Sequence, residues 1–317
     1  MRYLVTGATG FIGGSTARQL RAAGHDVTAL VRDPARAGDL EQRGVRLVSG
    51  TITDRDAVRS AMAGADGVYH IAGWYHVGKP DWAEAVRTNV DGTRTVFEVM
   101  RDLGIPRGVY TSTLAVFSDT KGRMVDESYR FTGKHLSVYD ETKARAHYEV
   151  VEPLQKAGVP IVTVQPGVVV GPGDTSAFRT LLTDYLTLKL RGIPRGVAYC
   201  LAHVEDIARA HLLAMERGRA GESYIIAGER AGLDEVFAEA ERISGVKPPS
   251  FRPSAGFLRF LAMVTRNETY RVGAGVTYLG DNGKARRELG YDPRPWRQAL
   301  RESLLHEMHI LGLKPPG

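Results

Sequence analysis

The feature that most constrains this 317-residue chain is the segment Thr6-Gly7-Ala8-Thr9-Gly10-Phe11-Ile12-Gly13. The short apolar run Tyr3-Leu4-Val5 precedes it. Ile12, Thr16 and Leu20 then recur every four residues up to Gly24, so the order reads strand, glycine turn, helix, helix stop. Glycines let a backbone approach a ligand closely. The free N–H groups and positive dipole end of the following helix attract an anion. A turn so placed opens a βαβ unit and suits the pyrophosphate of a dinucleotide; a ligand-free tight turn is the competing reading, and the context weighs against it.

The rhythm continues beyond the turn. Val27 to Val31, Val45 to Val48, Gly67 to Ile71, Gly108 to Thr111 and Ile161 to Val164 read as strands, with stretches of helical composition between them. Strands alternating with helices imply right-handed crossovers and a parallel sheet covered on both faces. After Gly171-Pro172-Gly173 the pattern breaks and becomes more helical, with Pro248-Pro249 and Pro293-Arg294-Pro295 as punctuation. The expectation is α/β: a doubly wound parallel sheet over 1–168, to which 197–228 returns through Tyr224 to Ala227, and a smaller, mostly helical substrate domain over 169–196 and 229–317.

Composition excludes several classes. With 43% apolar and 25% charged residues the chain is an ordinary globular one rather than a disordered one. Its 42 Lys and Arg against 36 Asp and Glu give a net charge of +6, but the cations are scattered and lack the runs, interleaved with aromatics, of a nucleic-acid face. Cys200 is the single cysteine, which rules out an intrachain disulfide and a cysteine-ligated metal and suits a reducing, cytoplasmic setting. Four glycines interrupt the N-terminal apolar run, unlike a signal peptide, and Phe257 to Val264 is too short to span a bilayer. No nucleic acid and no membrane are therefore expected as partners, and no metal.

Two further signals specify chemistry. At the end of the second strand, about twenty residues past the turn, an acidic residue selects NAD by bonding the ribose hydroxyls, whereas here Val31 is followed by Arg32. A guanidinium suits a 2′-phosphate, which favours NADP(H), with Arg36 as a second contact; NAD stays open if Asp33 instead reaches a ribose hydroxyl. Tyr139 and Lys143 lie four residues apart at the start of an apparent helix, hence on one face. A lysine cation near the phenol lowers its pKa and equips it to exchange a proton with an alcohol or ketone. The hydroxyl-rich strand end Thr111-Ser112-Thr113 stands about thirty residues upstream.

The glycine turn, His70-Ile71-Ala72-Gly73, Thr88-Asn89-Val90-Asp91-Gly92-Thr93, Tyr110-Thr111-Ser112-Thr113, the Tyr139/Lys143 pair and His203-Val204-Glu205-Asp206-Ile207-Ala208 follow one another in an order that resembles the extended short-chain dehydrogenases. These form the NAD-dependent epimerase/dehydratase family, and the chain looks most similar to its dihydroflavonol reductase-like members. The resemblance implies Tyr139 as general acid/base, Lys143 as ribose ligand and tuner of Tyr139, and Thr113 as the group orienting the substrate oxygen, with Ser112 its rival. It implies a cofactor site built from Gly7, Thr9, Gly10, Phe11, Ile12, Arg32, Arg36, Thr51, Ile52, Ala72, Gly73, Asn89, Thr111, Tyr139, Lys143, Pro166 and Val168. It also implies hydride transfer at a nicotinamide ring, and a homodimer formed through 90–103 and the helix carrying Ala146, Val150, Val151 and Leu154.

Departures from the family narrow the reaction. Thr113-Leu114-Ala115 lacks the acidic pair with which sugar-nucleotide dehydratases follow the catalytic threonine. Val168-Val169-Val170 replaces the asparagine with which many epimerases grip a nucleotide diphosphate. A reductase of a small, apolar or aromatic ketone or aldehyde, or an oxidant of the matching alcohol, is the expectation. A nucleotide-sugar epimerase and a non-catalytic NADP-binding regulator are the alternatives. Trp74, His76, Ser112 and Tyr185, with Tyr199, are candidate substrate contacts, and interdomain packing explains the aromatic cluster after the fourth strand equally well.

Overall fold

Leu4 and Val5 are both wholly buried yet belong to different apolar clusters. Successive side chains of a strand point to opposite faces, so a strand with two buried neighbours lies inside a sheet covered on both sides. The same split recurs across the sheet. Val5, Ala29, Tyr69 and Val109 pack with the helices Phe11–Ala22 and Val204–Arg217. Leu4, Leu30, Val68 and Tyr110 pack with Arg55–Met62 and Thr93–Asp102 and with the wider helical turn Ala146–Val151. The computed structural model describes residues 1–75 and 81–314, the side chain of Arg36 excepted; the expectations placed on His76 and Arg36 lie outside the described residues.

Among the described residues eleven strands follow in chain order: β1 (Arg2–Thr6), β2 (Asp26–Val31), β3 (Arg46–Ser49), β4 (Gly67–His70), β5 (Gly108–Thr111), β6 (Ile161–Pro166), β7 (Val168–Val170), β8 (Ala198–His203), β9 (Ser223–Ile226), β10 (Glu229–Gly232) and β11 (Thr277–Tyr278). Seven make the main sheet in the order β3-β2-β1-β4-β5-β6-β9, every pair parallel. This is a doubly wound Rossmann sheet. Its order reverses beside β1, and the crevice at that switch point is where such sheets hold ligands.

Of the segment 197–228, β9 joins the main sheet while β8 is the centre of a second, smaller one, pairing parallel with β7 and β11 and antiparallel with β10. Between them, Val204–Arg217 lies on the main sheet. A third cluster, with Phe178, Leu182, Phe237, Trp296 and Leu300, forms the core around the smaller sheet. The apolar residues that suggest a dimer face are enclosed by this chain itself: Ala146, Val150 and Val151, like Val96, Phe97, Val99 and Met100, are wholly buried in the cluster beneath the main sheet.

Candidate active site

The glycine turn fits its neighbours so closely that side chains are excluded. Gly7 has φ +74°, and a Cβ there would lie 2.7 Å from the Ala72 nitrogen. A Cβ on Gly13 would stand 2.1 Å from the Gly7 carbonyl oxygen, itself bonded to the Gly10 N–H at 2.9 Å. The following helix starts at Phe11 with Gly10 as N-cap, no side-chain cap and no acidic residue in its first turn. The helix thus puts no anion of its own on its positive end, which fits a pyrophosphate. A cavity of about 130 Å³ beside it is lined by Ala8, Thr9, Gly10, Gly14, Arg18, Ala37, Asp39 and Leu40.

Thr6 ties the turn to β4. Its hydroxyl accepts from the N–H groups of Ile71 and Ala72, both at 3.2 Å, and shares a 2.8 Å hydrogen bond with His70 Nδ1. His70 Nε2 meets Thr93 Oγ1 at 3.0 Å. Burial, then the nearby Lys143, pushes His70 down to about 3, so it stays neutral and serves as a bracket for the 71–75 loop. Asn89 holds the same loop: Oδ1 accepts the Trp74 N–H at 2.7 Å, and Nδ2 donates to the Trp74 carbonyl at 3.1 Å and to Thr142 Oγ1 at 2.9 Å. Both amide hydrogens of Asn89 are thus committed to the protein, where they help to position the loop.

The other expected cofactor residues stand at or just beyond strand ends. Arg32 follows β2, exposed and without an ion pair among the described residues, while Asp33 Oδ1 accepts the Ala35 N–H at 3.0 Å and caps the next helical turn. Thr51 and Ile52 follow β3, and Ile52 packs against Gly92, where a Cβ would lie 2.5 Å from Ile52 Cδ1. Pro166 ends β6 and Val168 starts β7. A Cβ on Gly167 between them would lie 2.3 Å from the Cys200 carbonyl oxygen, so the two sheets meet there backbone to backbone.

Tyr139, the expected proton-transfer group, lies on the helix Val138–Arg145, whose N-cap, Ser137, accepts the Asp140 N–H at 3.1 Å. Burial raises the Tyr139 phenol above its ordinary value, and a hydrogen bond with the Thr113 hydroxyl only partly offsets it. Thr113 is fixed in turn as the cap of the short helical turn Leu114–Phe117, accepting the Ala115 N–H at 3.2 Å. One turn along from Tyr139, Lys143 is 5% exposed and donates from Nζ to the Thr111 carbonyl at 2.7 Å. Burial brings it down to about 7. The expected pull of Lys143 on the phenol is corrected: burial dominates, and at neutral pH Tyr139 carries its proton.

Two substrate expectations are corrected as well. Tyr185 packs against Phe237 at 5.1 Å and directs its hydroxyl to the Val246 carbonyl, deep in the core around the smaller sheet. Ser112 is 2% exposed and bonded to His147 Nδ1 at 2.7 Å, so Thr113 is left as the hydroxyl beside Tyr139. Thr111 likewise offers no free hydroxyl, sharing a 2.8 Å bond with His211 Nε2, and contributes its carbonyl to Lys143.

Tyr75 lies edge-on to Tyr139 at 5.0 Å, and Tyr199 belongs to the same apolar cluster, stacked on Tyr278 at 6.2 Å. Tyr278 donates its hydroxyl to Asp140 Oδ2 at 2.8 Å, and burial pushes the Asp140 carboxyl up to about 6. Sequence reasoning misses this pair, because nothing local links residues so far apart. It also misses Arg18, although its position one helical turn after Gly14 was a usable signal.

A parallel sheet with a glycine cradle at its switch point and a buried phenol, hydroxyl and lysine at the neighbouring strand end defines a nicotinamide-dependent oxidoreductase on a Rossmann fold. The chain belongs to the NAD dependent epimerase/dehydratase family, whose model matches residues 3–227. It is 33% identical over 257 residues to a dihydroflavonol 4-reductase-like protein of Synechocystis sp., covering 78% of this chain and 74% of that one. It is 32% identical to the 4-hydroxy-2-methyl-3-oxo-4-farnesyl-3,4-dihydroquinoline-1-oxide ketoreductase of Stigmatella aurantiaca, covering 96% of each. Among solved structures, gox2253 superposes with a TM-score of 0.87 at 29% identity, covering 98% of this chain and 99% of that one.

Proposed function

We propose that the chain is an NADP(H)-dependent reductase of a ketone or aldehyde on a small, largely apolar or aromatic molecule, or an oxidant of the matching secondary alcohol. The observation that carries this reading is the Tyr139 phenol hydrogen-bonded to Thr113, with Lys143 one helical turn further on and anchored to the Thr111 carbonyl. The bound nicotinamide supplies the hydride. Tyr139 donates its proton to the carbonyl oxygen, Thr113 orients that oxygen, and Lys143, held by Thr111 close to Gly73, would hold the nicotinamide ribose.

A free Arg32, with Asp33 occupied as a cap, supports a 2′-phosphate. Tyr75, edge-on to Tyr139, and Tyr199, in the same apolar cluster as Tyr139, supply aromatic surface beside the phenol that suits an aromatic or aliphatic carbonyl better than a nucleotide diphosphate. The substrate enters from the side of the smaller sheet, which we assign with 169–196 and 229–317 to a substrate-binding part. The ketoreductase and dihydroflavonol reductase names of two relatives agree with a carbonyl substrate.

Tyr139→Phe should abolish consumption of NADPH with a panel of aldehydes and ketones while leaving NADPH binding near normal. Activity above a few per cent in that variant, or no turnover by the unmodified chain with any member of the panel, would overturn the reading.

A further inference from the structure

The helix Ala255–Thr265 turns its most apolar side outward. Phe257 (46% exposed), Phe260 (57%) and Val264 (63%) follow one another at spacings of three and four, with Met263 (71%) beside them, while only Leu258 and Ala262 are buried beneath. Phe251, also exposed, extends this stripe by meeting Phe257 edge-on at 6.3 Å. Large apolar side chains grouped on one exposed helix face mark a surface that meets something.

The charge around the stripe specifies what. Residues 247–271 hold five Lys and Arg against one acid, Glu268, and that acid is half-buried and accepts the Val138 N–H. The strand-like segment before the stripe adds more cations, because the Ile193 N–H donates to the Phe251 carbonyl at 3.0 Å and the Arg195 N–H to that of Pro253 at 3.3 Å. Lys189, Arg191, Arg195, Arg259 and Arg266 are all exposed, and none forms an ion pair among the described residues. At 11 residues the helix is too short to cross a bilayer, and no helix among the described residues is long and apolar enough to do so. An apolar helix face ringed by free cations lies in the plane of a membrane surface instead, with its aromatic groups at the level of the headgroups and its arginines on anionic lipid.

We propose that this face docks the protein reversibly on an anionic lipid bilayer. The expectation of no membrane partner, drawn from the lack of a spanning segment, is thereby narrowed to spanning alone. The helix Glu268–Val272 follows directly and Arg271 donates to the Leu136 carbonyl at 3.3 Å, so the docked face adjoins the segment that leads to Tyr139.

The test is co-sedimentation of the full chain with vesicles of phosphatidylglycerol and phosphatidylcholine in equal parts, and with phosphatidylcholine alone. Binding is expected to the anionic vesicles only and to be lost as salt rises. Phe260→Ser with Met263→Ser, and separately Arg259→Glu with Arg266→Glu, should each weaken it on the order of tenfold, with unchanged melting. No binding of the unaltered chain to anionic vesicles overturns the proposal, as does unchanged binding by both variants. A dimer of the unaltered chain that is lost in the Phe260/Met263 variant assigns the face to a second copy and overturns it too. None of these readings depends on turnover, so they stand apart from the reductase assignment.

Discussion

Lys143 reaches past Tyr139 to the backbone: its Nζ donates to the Thr111 carbonyl at 2.7 Å, and the hydrogen bond with Thr113 offsets only part of the burial that raises the phenol. The lysine is anchored to the end of β5, and the phenol remains a proton donor at neutral pH. In the proposed reductase reading, a phenol in that state is the group that gives a proton to a developing alkoxide.

The anchored lysine makes binding sensitive to pH. An unfolded lysine keeps its proton to about 10.4, whereas burial brings Lys143 down to about 7. Between these values the folded state binds fewer protons, so this group makes stability rise with pH there, and its cost is complete below the lower value. An anionic dinucleotide beside Nζ favours the cation. At about pH 8, NADPH binding should therefore take up a proton, read as different calorimetric heats in phosphate and Tris buffers. Equal heats would refute this, and Lys143→Met should remove the uptake.

Cofactor choice is predicted to rest on Arg32. Arg32→Ala removes a free guanidinium, and charge-assisted hydrogen bonds of this kind contribute about 1.5–3 kcal/mol. Fluorescence titration should show NADPH weakened by a corresponding factor and NADH unchanged. Equal losses for both would assign Arg32 to the shared part of the dinucleotide.

Gly13→Ala tests the cradle. Its Cβ would come 2.1 Å from the Gly7 carbonyl oxygen, so the turn must shift at a cost of about 1–3 kcal/mol. Urea unfolding should report that loss, and dinucleotide affinity should fall further than stability does. Native stability in this variant would mean that the turn is looser than its geometry.

Asn89 is predicted to act through the loop it holds. Asn89→Ala leaves the Trp74 N–H and carbonyl and the Thr142 hydroxyl without their partner, a cost of about 1–3 kcal/mol. Because Trp74 adjoins Tyr75 and the substrate side, KM should rise more than cofactor affinity falls. A selective loss of cofactor binding would mark Asn89 as a direct ligand instead.

The order of elements was legible from the chain because it is local. A glycine turn between an apolar triplet and a four-residue periodicity, repeated βα alternation, and a Tyr/Lys pair at helical spacing are all set within a few residues. They sufficed for the parallel sheet, its family and the hydroxyl and phenol at one strand end. Tertiary packing settled what those side chains face. Tyr185 and Tyr199 read alike in sequence, yet one is enclosed around the smaller sheet and the other stacks on Tyr278 near the phenol. Ser112 and Thr113 differ by one position along an extended backbone, which turns one hydroxyl to His147 and the other to Tyr139. The sequence determined which groups the site has to work with. Burial, which depends on residues up to 138 positions away as with Asp140 and Tyr278, decided their protonation and partners.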